Sequence, residues 1–144
     1  MAKLDDASWH YGDGFPEGLP EENSATHIGM FAAWAINNRM WGDLLGPQAL
    51  SAIEDVRARR ISGRAFLLEH CDGKLLSEMF TPDGARFAEK YYPKQYMRDF
   101  QKILSAGLPS DYHVEDKWAN YEKLADRINE RLEASKRSPW WKFW

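Results

Sequence analysis

The apolar positions of this chain fall into several runs with helical spacing, and the clearest comes last. Val114, Trp118, Tyr121, Ala125, Ile128 and Leu132 alternate spacings of four and three, which draws one apolar stripe down a long terminal helix. The stripe is shorter than the three or four heptads of a free coiled coil, and Trp118 and Tyr121 suit packing onto the protein's own core. Ile28 to Ile36 is apolar almost all round, the pattern of a central buried helix, with Ser24 or Thr26 as its cap.

Between these two lie weaker amphipathic segments. Pro47 suits the first turn of a helix whose Leu50, Ile53 and Val56 face inward and whose Glu54, Asp55, Arg57 and Arg59 face water. Ser62 can cap a third helix lined by Phe66, Leu67 and Cys71 and ended by Asp72-Gly73. Residues 75–80 fit either a short strand or a linking turn. Thr81-Pro82-Asp83-Gly84 reads as a turn, followed by a short helix carrying Phe87, Tyr91 and Tyr92 and halted before Pro93. Residues 94–106 restart it, with Tyr96, Met97, Phe100, Ile103 and Leu104 on one face and Gly107 as terminator. Residues 1–23, with Gly and Pro punctuating Gly12 to Pro20, read as an ordered loop pinned to the core by Trp9, Tyr11 and Phe15.

The pattern predicts a mainly α protein: a compact single-domain bundle of about five or six helices, with a long C-terminal amphipathic helix and an ordered N-terminal loop. The domain is drawn over residues 1–138 and a Trp-rich tail over 139–144. A length of 144 residues with 44% hydrophobic and 14% aromatic side chains is enough for one core. A single cysteine, Cys71, excludes a disulfide framework and any multi-cysteine zinc site. The opening Met-Ala-Lys-Leu-Asp-Asp lacks the apolar run of a secretory signal, and no stretch approaches the roughly 20 apolar residues of a membrane span. The expected location is therefore the cytoplasm.

Net charge is -3, but it is unevenly spread. Residues 1–55 carry Lys3 and Arg39 against nine acids, a net of -7, and the remainder carries +4. The acidic front can pair with the basic back or face a basic partner. Arg57, Arg60 and Arg64 approach one helical face, yet without interleaved aromatic readers they read as a solvated surface, so no nucleic-acid partner is expected.

Candidate chemistry rests on histidines and carboxylates. Asp5, Asp6, His10 and His27 lie in the acidic front, and His113 stands beside Glu115 and Asp116. Such side chains bind zinc or iron when a fold gathers them. Their spacing matches no ligand motif, so they read first as hydrogen-bonding staples and second as a metal site. Adjacent His70 and Cys71 point about 100° apart on a helix, which leaves Cys71 as a buried, inert thiol. There is no phosphate loop, nucleophile elbow or paired-carboxylate signature, and no catalytic residue is assigned. The tail, Pro139-Trp140-Trp141-Lys142-Phe143-Trp144, holds rings that need a cover: the protein's own core, a partner, or, least favoured, a membrane surface.

Three blocks, Asp5-Asp6-Ala7-Ser8-Trp9-His10-Tyr11-Gly12, Thr26-His27-Ile28-Gly29-Met30-Phe31 and Tyr112-His113-Val114-Glu115-Asp116, resemble those of an uncharacterised family of small bacterial proteins. The likeness spans residue 4 to about residue 132, and the Trp-rich end departs from it. The resemblance implies a bacterial cytoplasmic protein and brings no reaction with it. Because each block holds a histidine, the resemblance suggests either that His10, His27 and His113 come near one another or, the favoured reading, that they are polar staples tying the opening loop and the entry to the last helix onto the central helix.

The leading functional expectation is a small non-catalytic protein-binding protein, of the toxin-neutralising (immunity) or accessory kind, monomeric or homodimeric. Its partner contacts are assigned to Trp9, Tyr11, Trp140, Trp141, Phe143 and Trp144. The alternative is a metal-binding protein or enzyme built on His10, His27 and His113 with Asp5 and Asp6, a metal ion being the only cofactor considered. Peripheral membrane association through the tail is a third reading.

Overall fold

The computed structural model describes residues 2–137. The Trp-rich segment, with Trp140, Trp141, Phe143 and Trp144, lies outside the described residues, so its assignment to partner contact rests on sequence alone.

The centre is helix α2 (Thr26–Asn37), in which every residue from Thr26 to Ile36 is buried. An apolar run longer than one stripe has no face left for water, so the remaining elements pack around it on all sides. They are strand β1 (Lys3–Asp6), helices α1 (Ala7–His10), α3 (Leu50–Arg57) and α4 (Gly63–His70), strand β2 (Lys74–Leu76), helix α5 (Pro82–Tyr91), helix α6 (Met97–Phe100) and helix α7 (Trp118–Lys136). The fold is mainly α, as the sequence predicts.

Helix α4 crosses α2 at Gly29 and Gly63. A Cβ on Gly63 would sit 1.9 Å from the Gly29 carbonyl oxygen, and one on Gly29 would sit 2.3 Å from the Arg64 backbone. Only glycine permits so close a backbone approach. Ser62 caps α4 by accepting from the Ala65 N–H at 3.1 Å, whereas neither Ser24 nor Thr26 caps α2, which instead grows out of a 3-10 turn over Glu21–Ala25.

Two further expectations are corrected. The N-terminal segment is more regular than a loop: β1 pairs antiparallel with β2, with an irregularity between Lys3 and Asp5, and Asp6 caps α1 through the Ser8 N–H. Pairing with a partner some 70 residues away leaves no local signature. Helix α5 does not stop at Pro93 either. It continues through a π-helical segment (Tyr92–Tyr96), α6 and a second π-helical segment (Gln101–Ser105). Proline lacks an N–H to donate to the preceding turn, and the widened π turn accommodates that loss without ending the helix.

The last helix begins at Trp118, so Val114 precedes it. It is clamped by Asp99, whose carboxylate receives Arg131 Nε at 3.0 Å, Arg131 Nη2 at 2.9 Å, Arg127 Nη1 at 3.3 Å and the Tyr91 hydroxyl at 2.7 Å. No helix of the described residues is long and apolar enough to cross a membrane.

Candidate metal centre

Asp5 and Asp6 are both buried, although consecutive strand residues ordinarily face opposite ways. Asp6 turns to its own neighbours, taking Lys3 at 2.7 Å and the Ser8 hydroxyl at 2.8 Å. Asp5 turns inward, toward the first turn of α2. There its Oδ1 meets His10 Nε2 at 2.7 Å and its Oδ2 meets His27 Nε2 at 3.1 Å. The two imidazole Nε2 atoms are themselves 3.3 Å apart. One carboxylate and two imidazoles from three segments therefore point their donor atoms at one another.

Braces surround this triangle. The Tyr92 hydroxyl donates to Asp5 Oδ2 at 2.5 Å, and the Tyr96 hydroxyl donates to the His27 carbonyl. The Tyr112 hydroxyl lies 2.9 Å from His10 Nδ1. Tyr91, Tyr92 and Tyr96 are all buried, and Tyr91 reaches Asp99 while its neighbour Tyr92 reaches Asp5. Tyr112 arrives on a 3-10 turn over Asp111–His113, held by Asn23 Nδ2 donating to the Tyr112 carbonyl at 2.9 Å.

Electrostatics set the protonation states. Burial works to raise the Asp5 carboxyl, but hydrogen bonds from His10, His27 and Tyr92 outweigh it and hold the group well below the usual carboxylate range. Burial lowers the His27 pKa, against the pull of Asp5, and keeps the ring neutral. Tyr92 is raised well above its ordinary value by burial and by the Asp5 charge, so it remains a donor.

A neutral imidazole nitrogen holds either a proton or a lone pair. If both Nε2 atoms carry protons for Asp5, each N–H has its own carboxylate oxygen, and the 3.3 Å contact between the two nitrogens carries no hydrogen bond. If one gives up its proton to accept from the other, its lone pair faces a carboxylate oxygen. A divalent cation would satisfy all three lone pairs together.

His113 does not join this group. Its Nδ1 is 2.8 Å from the Ser110 hydroxyl, a bond closed within its own turn, which corrects the grouping of three histidines. Trp9 is 60% exposed and Tyr11 46% exposed. Lys3 Nζ lies over the Trp9 ring at 5.2 Å, and Tyr11 leans on Phe15 with ring centroids 4.9 Å apart. Cys71 is buried and its thiol is pushed up to about 12 by burial. Arg60 and Arg64 are paired with acids, Arg60 with Asp55 at 2.7 Å and Arg64 with Asp116 at 3.3 Å. Arg57 and Arg64 lie on different helices, α3 and α4, rather than on one phosphate-tracking face.

Tyr92 and Tyr112 are the residues that sequence reasoning did not assign to the site. The available signal was a pair of adjacent tyrosines before a proline, since a buried phenol needs a partner for its hydroxyl. The family model for the domain of unknown function DUF7832 matches residues 3–114. The chain belongs to this family. Asp5, His10, His27, Tyr92 and Tyr112 all fall inside the region that defines it, whereas Arg127 and Arg131 of the α7 clamp fall beyond. No curated protein and no solved structure matches the chain.

Proposed function

We propose that this protein binds a divalent transition-metal ion through Asp5, His10 and His27. The observation that carries the reading is the triangle of donor atoms. Zinc with bonds of about 2.0–2.1 Å in a tetrahedron sets neighbouring donors about 3.3 Å apart, and the two imidazole Nε2 atoms are 3.3 Å apart. Asp5 Oδ1, 2.7 Å from His10 Nε2, is at hydrogen-bond length and must move back by about half an ångström to reach that spacing, while Oδ2 keeps the Tyr92 hydroxyl. Two imidazoles and a carboxylate suit zinc or ferrous iron better than calcium or magnesium, which favour all-oxygen sites. Tyr92 on Asp5 and Tyr112 on His10 supply the outer hydrogen bonds that orient metal ligands.

The test is elemental analysis of protein purified without a histidine tag and loaded with zinc or ferrous iron. About one ion per chain is expected, falling to background in His27→Ala. Less than about 0.1 ion per wild-type chain after loading removes the reading.

A second reading, protein binding of the immunity or accessory kind in a bacterial cytoplasm, draws support from the exposure of Trp9 and Tyr11. Large aromatic side chains left in water are common anchors of interfaces. A Trp9→Ala/Tyr11→Ala double variant is expected to lose any stoichiometric partner while keeping its melting temperature. Undiminished capture of the same partner would remove these two rings from the interface.

A further inference from the structure

Building on the metal reading, we infer that the ion holds one exchangeable coordination position on the His10 side, occupied by water and open to a small monodentate anion. Zinc-class ions take at least four ligands, and the described residues bring three donors together, from Asp5, His10 and His27. The other polar groups nearby are engaged elsewhere. The Tyr92 and Tyr112 hydroxyls bond the outer atoms of Asp5 and His10, and Asp6 is taken by Lys3 and Ser8. Asp111 accepts from Ser105 at 2.7 Å and from Gln101 at 3.1 Å, and His113 pairs with Ser110. Three protein ligands with a free fourth place is the pattern of reactive zinc sites, whereas structural sites are closed by four.

The direction of access follows from exposure. The His27 side chain is 2% exposed, that of Asp5 9% and that of His10 23%, so water reaches the cluster past His10. Tyr11, Phe15 and Tyr112 form a line of rings beside His10, with successive centroids 4.9, 5.0 and 5.9 Å apart, an apolar wall along that approach. Charge favours an anion, because one carboxylate and two neutral imidazoles leave a divalent ion with a net positive charge.

The experiment replaces the ion with cobalt(II), whose visible d–d bands report coordination, and titrates the full chain with azide and with thiocyanate. Saturable band shifts, reversed on removing the anion, are expected. Stoichiometric cobalt whose spectrum neither anion moves would mean a closed site and overturn the inference while leaving the metal reading intact. A Tyr112→Phe spectrum that shows loss of a ligand would make Tyr112 the fourth donor, with the same consequence. Failure to bind cobalt or zinc at all would instead overturn the metal reading on which the inference rests.

Discussion

Asp5 is the side chain on which the site turns, since both histidines and Tyr92 address it. Tyr92→Phe removes one hydroxyl from a buried carboxylate without changing the ring's packing. Loss of such an outer contact is expected to weaken zinc about 10- to 100-fold, measured by competition with a chromophoric chelator, whereas Asp5→Ala should abolish stoichiometric binding. His27 gives a pH prediction for the metal-free protein. Its folded pKa is lowered by burial, so the unfolded chain binds the proton more readily. Its contribution to stability is complete above about pH 6.5 and is lost as the pH falls below that value. Urea midpoints in chelator should therefore drop between about pH 7.5 and pH 5.5, and His27→Gln, which cannot take up that proton, should flatten this part of the profile. The residue types of the site were legible in the sequence, but their convergence was not. His10 and His27 meet only because β1 pairs with a distant strand, and His113 stands apart because Ser110, three residues away, satisfies it first.

Among elements, apolar periodicity carried most of the fold. It located α2, α3, α4 and α7 because each shows its buried stripe within its own sequence. It missed β1, whose four residues Lys-Leu-Asp-Asp carry no strand alternation, and it ended a helix at Pro93 that a π turn carries through. The α2–α4 crossing makes the sharpest prediction at this scale. Gly63→Ala forces a methyl group into the Gly29 carbonyl and against the Ala33 Cβ, and because neither can rotate away the helices must separate. A loss of about 3 kcal/mol or more is expected by chemical denaturation. The Asp99 clamp makes another. Burial opposes ionisation of Asp99, but bonds from Arg131 and Tyr91 and the charge of Arg127 prevail and lower its pKa. Its stabilising effect is therefore present above about pH 4 and is lost progressively as the pH falls below that. Asp99→Ala strands the buried Tyr91 hydroxyl and two arginines, costing about 3 kcal/mol at neutral pH. A midpoint within about 0.5 kcal/mol of wild type would mean that α7 is held by its apolar stripe alone.

For the whole molecule, the metal reading joins chemistry to folding. The three donors come from β1, α1 and α2, and the Tyr112 brace adds the segment that leads into α7. An ion there would tie the first ten residues and the 3-10 turn near residue 112 to the central helix, through contacts that the unfolded chain cannot assemble. Ligand binding of that kind stabilises by mass action, about 2.7 kcal/mol when free ion stands at 100 times its dissociation constant. For a domain of this size that corresponds to a rise in melting temperature of roughly 5–10 °C. The wild-type protein should show this rise with zinc and lose it with chelator, whereas His27→Ala should melt at the same temperature in both. Hydrogen exchange locates the effect. If the ion acts as a tie, protection should increase at residues 3–11 and 110–114 and change little in α3, which touches neither the donors nor their braces. Protection spread evenly over the chain would mean that zinc stabilises the fold without bridging these segments at the Asp5–His10–His27 triangle.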